Sequence, residues 1–162
     1  MRFLRSVALA AAVLATATGI ALAVDTPVKF SSTPLARGTW DRAERTDFLS
    51  ALAGQGGLAS SDVFMVKATL GPSTGPGDPP GTTGWHLHTG PSALIVTQGT
   101  MAVSHRMANG RCMTREVGAG EAIFHTTGLH NFTNSGSGLV EFYIAYFVPA
   151  GPPLIPADDP GC

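Results

Sequence analysis

The residues best suited to chemistry in this chain are its histidines, and there are only five. Two of them stand at i and i+2 in Trp85-His86-Leu87-His88. In an extended strand successive side chains point to opposite faces, so His86 and His88 project together. Two neighbouring imidazoles can share one metal ion, and a third ligand must then come from another strand. His125 and His130 are the candidates. Neutral imidazole suits first-row transition ions, and three histidines leave a coordination position open to water or substrate. His86, His88, His125 and His130 all follow glycine-rich turns, in two stretches about forty residues apart. His105 stands apart and reads as a surface residue. His125 can be read as a donor behind the ligands, as a fourth ligand or proton-relaying base, or as a plain solvent-facing residue. Gln98, Asn134 or a backbone carbonyl could accept the spare imidazole proton. Glu121 and Glu141 fall at a turn and a strand edge, where carboxylates are usually solvated.

The elements that must position these residues are short strands. Twenty glycines and twelve prolines make up about a fifth of the chain and lie between apolar runs, a pattern of tight turns rather than long helices. Strands are expected at Val63 to Leu70, Thr83 to His88, Ala93 to Thr97, Thr100 to Met107, Cys112 to Val117, Ala122 to His125, Leu129 to Thr133 and Leu139 to Val148. Gln98-Gly99 and Asn109-Gly110 read as turns, the second as a hairpin signal. Residues 24–61 read as an arm, with an edge strand around Val28 to Phe30, followed by a short helix from Thr39 to Leu52. That helix carries Phe48, Leu49 and Leu52 on one stripe and is ended by Gly54, Gly56 and Gly57. The proline-rich run Gly71 to Gly81 cannot be a strand interior. It reads as a loop, either a surface insertion or a lid over the site. The tail from Pro149 to Cys162 has five prolines and no strand pattern. So many short strands without βαβ alternation point to an all-β sandwich or barrel over residues 62–148.

The first segment reads as an export signal. Arg2 and Arg5 precede an apolar stretch from Val7 to Ala17, and Ala21-Leu22-Ala23 is a small-x-small cleavage site. Cleavage after Ala23 leaves a mature protein beginning at Val24 in the periplasm or outside the cell; a retained anchor is the alternative reading. No later run approaches the roughly 18 apolar residues of a membrane span. Losing Arg2 and Arg5 leaves eight basic residues against eleven acidic ones, a net of −3. The basic residues are not clustered, which argues against nucleic acid as a partner. In an oxidising compartment Cys112 and Cys162 are expected to pair, because a strandless tail frays unless it is tied down.

Gly84-Trp85-His86-Leu87-His88, followed by Ser92 and Gly99, resembles the first conserved motif of the cupin superfamily. Gly120, Gly128, His130 and Asn134 resemble the second. The match runs from Asp62 to Val148, and the chain looks like a small exported single-domain member. The resemblance implies a double-stranded β-helix, a jelly-roll barrel with a metal inside one end held by His86, His88 and His130. The ion would be one divalent transition metal: iron, manganese, nickel, zinc or copper. Two departures stand out. The usual glutamate slot of the first motif holds Ser92, or Ala93 in the longer spacing, and Thr126 or Thr127 replaces a proline in the second. The resemblance also implies a homodimer, which exposed sheet edges and an N-terminal arm would suit. The functional expectation is a metalloenzyme of oxygenase or isomerase type acting on a small organic molecule. The alternatives are a non-catalytic binder, with Trp85, Phe124, Phe132, Phe142 and Tyr146 lining an apolar interior, or a structural envelope protein.

Overall fold

A computed structural model describes residues 26–39, 62–125, 128–148 and 154–162. These residues form ten strands: β1 (Phe30–Thr39), β2 (Asp62–Leu70), β3 (His86–His88), β4 (Ser92–Gln98), β5 (Thr100–Arg106), β6 (Cys112–Gly118), β7 (Ala122–His125), β8 (His130–Asn134), β9 (Val140–Val148) and β10 (Leu154–Pro156). Period-two burial explains most of them. In β9, Val140, Phe142, Ile144, Tyr146 and Val148 are buried, and the residues between them face outward. Val66, Ala68 and Leu70 in β2, Leu94 and Val96 in β4, and Met101 and Val103 in β5 meet them in one core.

The strands form two antiparallel five-stranded sheets, β1-β2-β9-β4-β7 and β10-β3-β8-β5-β6, packed face to face. The closed barrel expected from the sequence is not formed. Among the described residues no ladder joins β1 to β10 or β7 to β6, so each sheet keeps two open edges. The reason is the filling between them. Phe132, Phe142, Leu70, Leu94 and Met101 are fully buried there. Side chains of this size keep stacked sheets about 10 Å apart, twice the spacing of a hydrogen-bonded ladder. Beside β7, the bonds from Val96 N to Glu121 O (3.0 Å) and from Gly120 N to Val96 O (2.9 Å) extend the β4–β7 pairing into the turn after β6 and do not join the sheets.

Gln98-Gly99 carries the chain from one sheet to the other. Gly99 has φ +77°, and a Cβ there would lie 2.6 Å from the Leu139 carbonyl oxygen, so the turn needs glycine. Asn109-Gly110 closes the β5–β6 hairpin, where Asn109 Oδ1 accepts from Arg111 N at 3.0 Å.

Three local expectations change. The arm forms the whole of β1, a ten-residue edge strand on β2, rather than a short one near Val28. Thr39 ends that strand, and the rest of the expected helix lies outside the described residues, as do the signal segment, Thr126 and Thr127. The tail supplies β10, which pairs antiparallel with β3 through Leu154–His88, Ile155–Leu87 and Pro156–His86. Proline is tolerated there because the strand is at an edge. The Gly71–Gly81 loop is not a lid over the histidines. Its roots lie beside Asn134, whose side-chain amide donates to Leu70 O (3.0 Å) and whose backbone N donates to Gly81 O (2.8 Å). That is the far end of β8 from His130. The loop is held by Asp78, whose carboxylate takes Lys29 Nζ at 2.5 Å and Thr74 N at 2.7 Å.

Candidate metal centre

The two sheets present two facing rows of side chains. In one sheet, strand register aligns Met113, His105, His130 and His86 on β6, β5, β8 and β3. In the other it aligns His125, Ser92, Tyr146 and Phe64 on β7, β4, β9 and β2. Cross-strand neighbours share a face. The inward alternation that buries Phe132 therefore also buries His130, and the one that buries Ile123 buries His125.

His86, His88 and His130 come together, each offering a ring nitrogen, with these atoms within 4.8 Å of one another. All three are buried. Each ring is fixed through Nδ1. His86 Nδ1 donates to Gly84 O (2.8 Å) and His130 Nδ1 to Gly128 O (2.6 Å), while His88 Nδ1 meets the Ser92 hydroxyl at 3.0 Å. Gly84 sits at φ +68°, a conformation that turns its carbonyl back onto a ring two residues on. An Nδ1–H tautomer leaves Nε2 as a bare lone pair. The Nε2 atoms of His88 and His130 are buried without a hydrogen-bond partner. Buried unpaired acceptors are costly, and a metal ion is the partner that this geometry fits. The cluster is suited to one divalent transition ion, whose identity the donor set does not fix.

Burial keeps the rings neutral. It pushes His86, His88 and His130 below the usual 6.5, and for His88 and His130 the neighbouring imidazoles add to the effect. His125 is lowered to about 3, first by burial, then by His105 and His86.

His125 is not solvent-facing. It is 3% exposed, stacks on His130 with ring centroids 4.6 Å apart, and has an unpartnered Nε2. It stands beside the three-histidine group rather than in it. His105 is not a lone surface residue either. It is half-buried and stacks on His125 at 4.9 Å, so all five histidines form one cluster. The signal was present in the sequence, because Met101, Val103 and His105 fall on the same face of one strand. Ser92, in the slot where the cupin motif that this stretch resembles has glutamate, is fully buried and meets His88 Nδ1 at 3.0 Å. Gln98 and Asn134 do not serve the rings: Asn134 donates instead to Leu70 O and Gly138 O. Of the aromatics expected inside, Trp85, Phe132, Phe142 and Tyr146 are buried, whereas Phe124 lies on the outer face at 47% exposure. Cys112 and Cys162 are bonded, with Cα atoms 5.7 Å apart.

No family model and no curated protein matches the chain by sequence. Solved structures do match by shape. An oxalate oxidase in complex with the substrate analogue glycolate superposes with a TM-score of 0.54 and 19% identity, over 80% of this chain and 56% of that one. A second oxalate oxidase structure gives 0.51 and 20%, over 76% and 53%. The fold is a cupin fold. The chain thus spans little more than half the length of these oxalate oxidase structures, and at such identity the likeness is one of fold. Among the described residues no helix is long and apolar enough to cross a membrane.

Proposed function

We propose that this is an exported cupin metalloprotein that uses one divalent first-row ion, held by His86, His88 and His130, to bind and transform a small organic acid. The observation that carries this reading is the pair of buried, unpartnered Nε2 atoms on rings already locked through Nδ1. When bound, such an ion supplies a Lewis-acidic centre with an open position. The chain's own part is to hold three neutral imidazoles in place, exclude bulk water by burial, and leave no carboxylate among the described ligands to reduce the charge of the centre. The fold likeness to oxalate oxidases supports a carboxylate substrate. The disulfide supports an oxidising compartment, as does the basic-apolar-small pattern of residues 1–23.

The test is metal analysis of protein made without a histidine tag, followed by loading with manganese, iron, nickel, zinc or copper near neutral pH. One ion per chain in the wild type and none in His86→Ala or His130→Ala is expected. A wild type that stays empty after loading overturns the reading. For export, the intact mass of secreted or envelope material should match a chain beginning at Val24; the full precursor mass would refute it.

One observation favours a second reading, a non-catalytic binder of apolar ligands. A cavity of about 230 Å³ opens between the unpaired edges of β1 and β10, lined by Phe30, Phe64, Val66, Tyr146 and Leu154. Tyr146 also packs edge-on against His88, with ring centroids 5.0 Å apart. Tight binding of a hydrocarbon-like probe to metal-free protein would favour this reading.

A further inference from the structure

Two histidines remain beyond the three ligands, and their strands lie at or next to the open edges of β7 and β6. His125 comes from the edge strand of one sheet and His105 from the strand next to the edge of the other. Their rings stack at 4.9 Å, and His125 stacks in turn on the ligand His130 at 4.6 Å. His125 is 3% exposed, yet its Nε2 has no partner. The next row of β6 carries Arg115. It pairs in register with Val103, which is buried, so Arg115 leaves its strand on the inner face. Arg115 is exposed and makes no ion pair with any described residue, whereas its neighbour Glu116 points the other way and is engaged by the Ser135 hydroxyl. The three groups thus run from the surface inward, Arg115, then His105, then His125, and end against the metal ligands.

We propose that His105, His125 and Arg115 form an anion subsite beside the metal ligands that takes the carboxylate of a small organic acid. The charge pattern selects an anion over a second cation. No Asp or Glu joins the histidine cluster among the described residues, and Arg115 stands one row from His105 on the same face of adjoining strands. Each imidazole offers an N–H donor and the guanidinium offers a fork that matches a carboxylate. One carboxylate held there would lie beside the ion, so a dicarboxylate could bridge the two. This subsite rests on the metal-centre reading and names its substrate class.

The test is calorimetry of the full chain loaded with zinc, which has no redox chemistry, titrated with oxalate. The wild type should bind oxalate with one zinc per chain. Arg115→Gln and His105→Gln should each keep one zinc and weaken oxalate by about tenfold or more, the usual scale for a lost charge-assisted hydrogen bond. Arg111→Gln removes the same charge from the β5–β6 turn and should leave affinity within about twofold, as expected for a screened surface charge. Equal weakening by Arg111→Gln would overturn the subsite in favour of net charge. One zinc per chain with no oxalate binding, or with unchanged affinity in both variants, overturns the subsite and spares the metal centre. No zinc at all overturns both.

Discussion

Acid should unfold the metal-free protein, and the size of the effect follows from the buried rings. His88, His125 and His130 are each under 4% exposed, and burial holds their pKa values far below 6.5. In the unfolded chain they titrate near 6.5, so below that pH the unfolded state binds more protons than the folded one. Stability is therefore complete above about pH 7 and is lost as pH falls from 6.5 toward the depressed folded values. Each ring contributes a loss of about 1.4 kcal/mol between pH 8 and pH 5.5, and three give about 4 kcal/mol. That is a large part of the 5–15 kcal/mol typical of a domain. Urea unfolding of chelator-treated protein at several pH values measures it directly. Replacing one titrating ring, as in His125→Phe, should reduce the loss by about 1.4 kcal/mol over the same range. A midpoint that stays flat from pH 8 to 5.5 would refute the burial argument, because the rings would then have to be accessible to protons in the folded state.

Metal should change that profile, since an ion bound to the neutral rings stabilises the folded state by mass action. Saturating zinc is expected to raise the urea midpoint at pH 7.5, and the gain should vanish in His86→Ala. The disulfide should matter to the centre as well as to the fold. It closes a loop with a sequence separation of 50, worth roughly 4 kcal/mol in the chain-entropy model. It also ties down the tail whose β10 covers the outer edge of β3, where Ala157 N donates to Trp85 O at 2.9 Å and Arg106 donates to Pro160 O at 2.7 Å. Cys162→Ser should lower the urea midpoint and speed hydrogen exchange at Leu87. Unchanged exchange there would mean that the tail stays docked without the bond.

Much of this architecture could be read from residue pattern because burial on each strand has period two. Alternation in Val140 to Val148 marks a two-faced strand, and His86 and His88 share a face for the same reason. What escaped reading depends on partners far along the chain. The inward face of His105 could be read from Met101 and Val103, but its place beside His130 comes only from register with a strand far along the chain. The pairing of β10 with β3 joins residues about seventy positions apart and leaves no local signal in a three-residue stretch ending in proline. Closure of the sheets is also non-local. It turns on whether β1 meets β10 and β7 meets β6, and no pattern within a strand reports on that. Phe124 shows the opposite case. Its place on the outer face was readable from Ile123 and His125 on either side of it, but its aromatic character suggested the interior.

Ser92 carries the most specific consequence of the departure from the cupin motif. Its hydroxyl meets His88 Nδ1 at 3.0 Å, and it is fully buried between His125 and Tyr146 in register. The other two ligands are fixed by the backbone carbonyls of Gly84 and Gly128, which side-chain substitution leaves in place. His88 alone depends on a side chain for its tautomer. In Ser92→Ala the Nδ1–H would lose its acceptor, and the ring would be free to place its proton on Nε2, the atom that should bind the ion. Loss of such an orienting partner typically weakens metal affinity by about tenfold to a hundredfold, while the lost hydrogen bond costs the fold only about 1 kcal/mol. Ser92→Thr keeps the hydroxyl and should retain most of the affinity. Competition with a chelator of known zinc affinity reads the difference, and circular dichroism checks that both variants fold. If Ser92→Ala binds zinc as tightly as the wild type, then Nδ1 orientation of His88 does not govern the site, and the serine is there only because it fills space that a larger residue cannot.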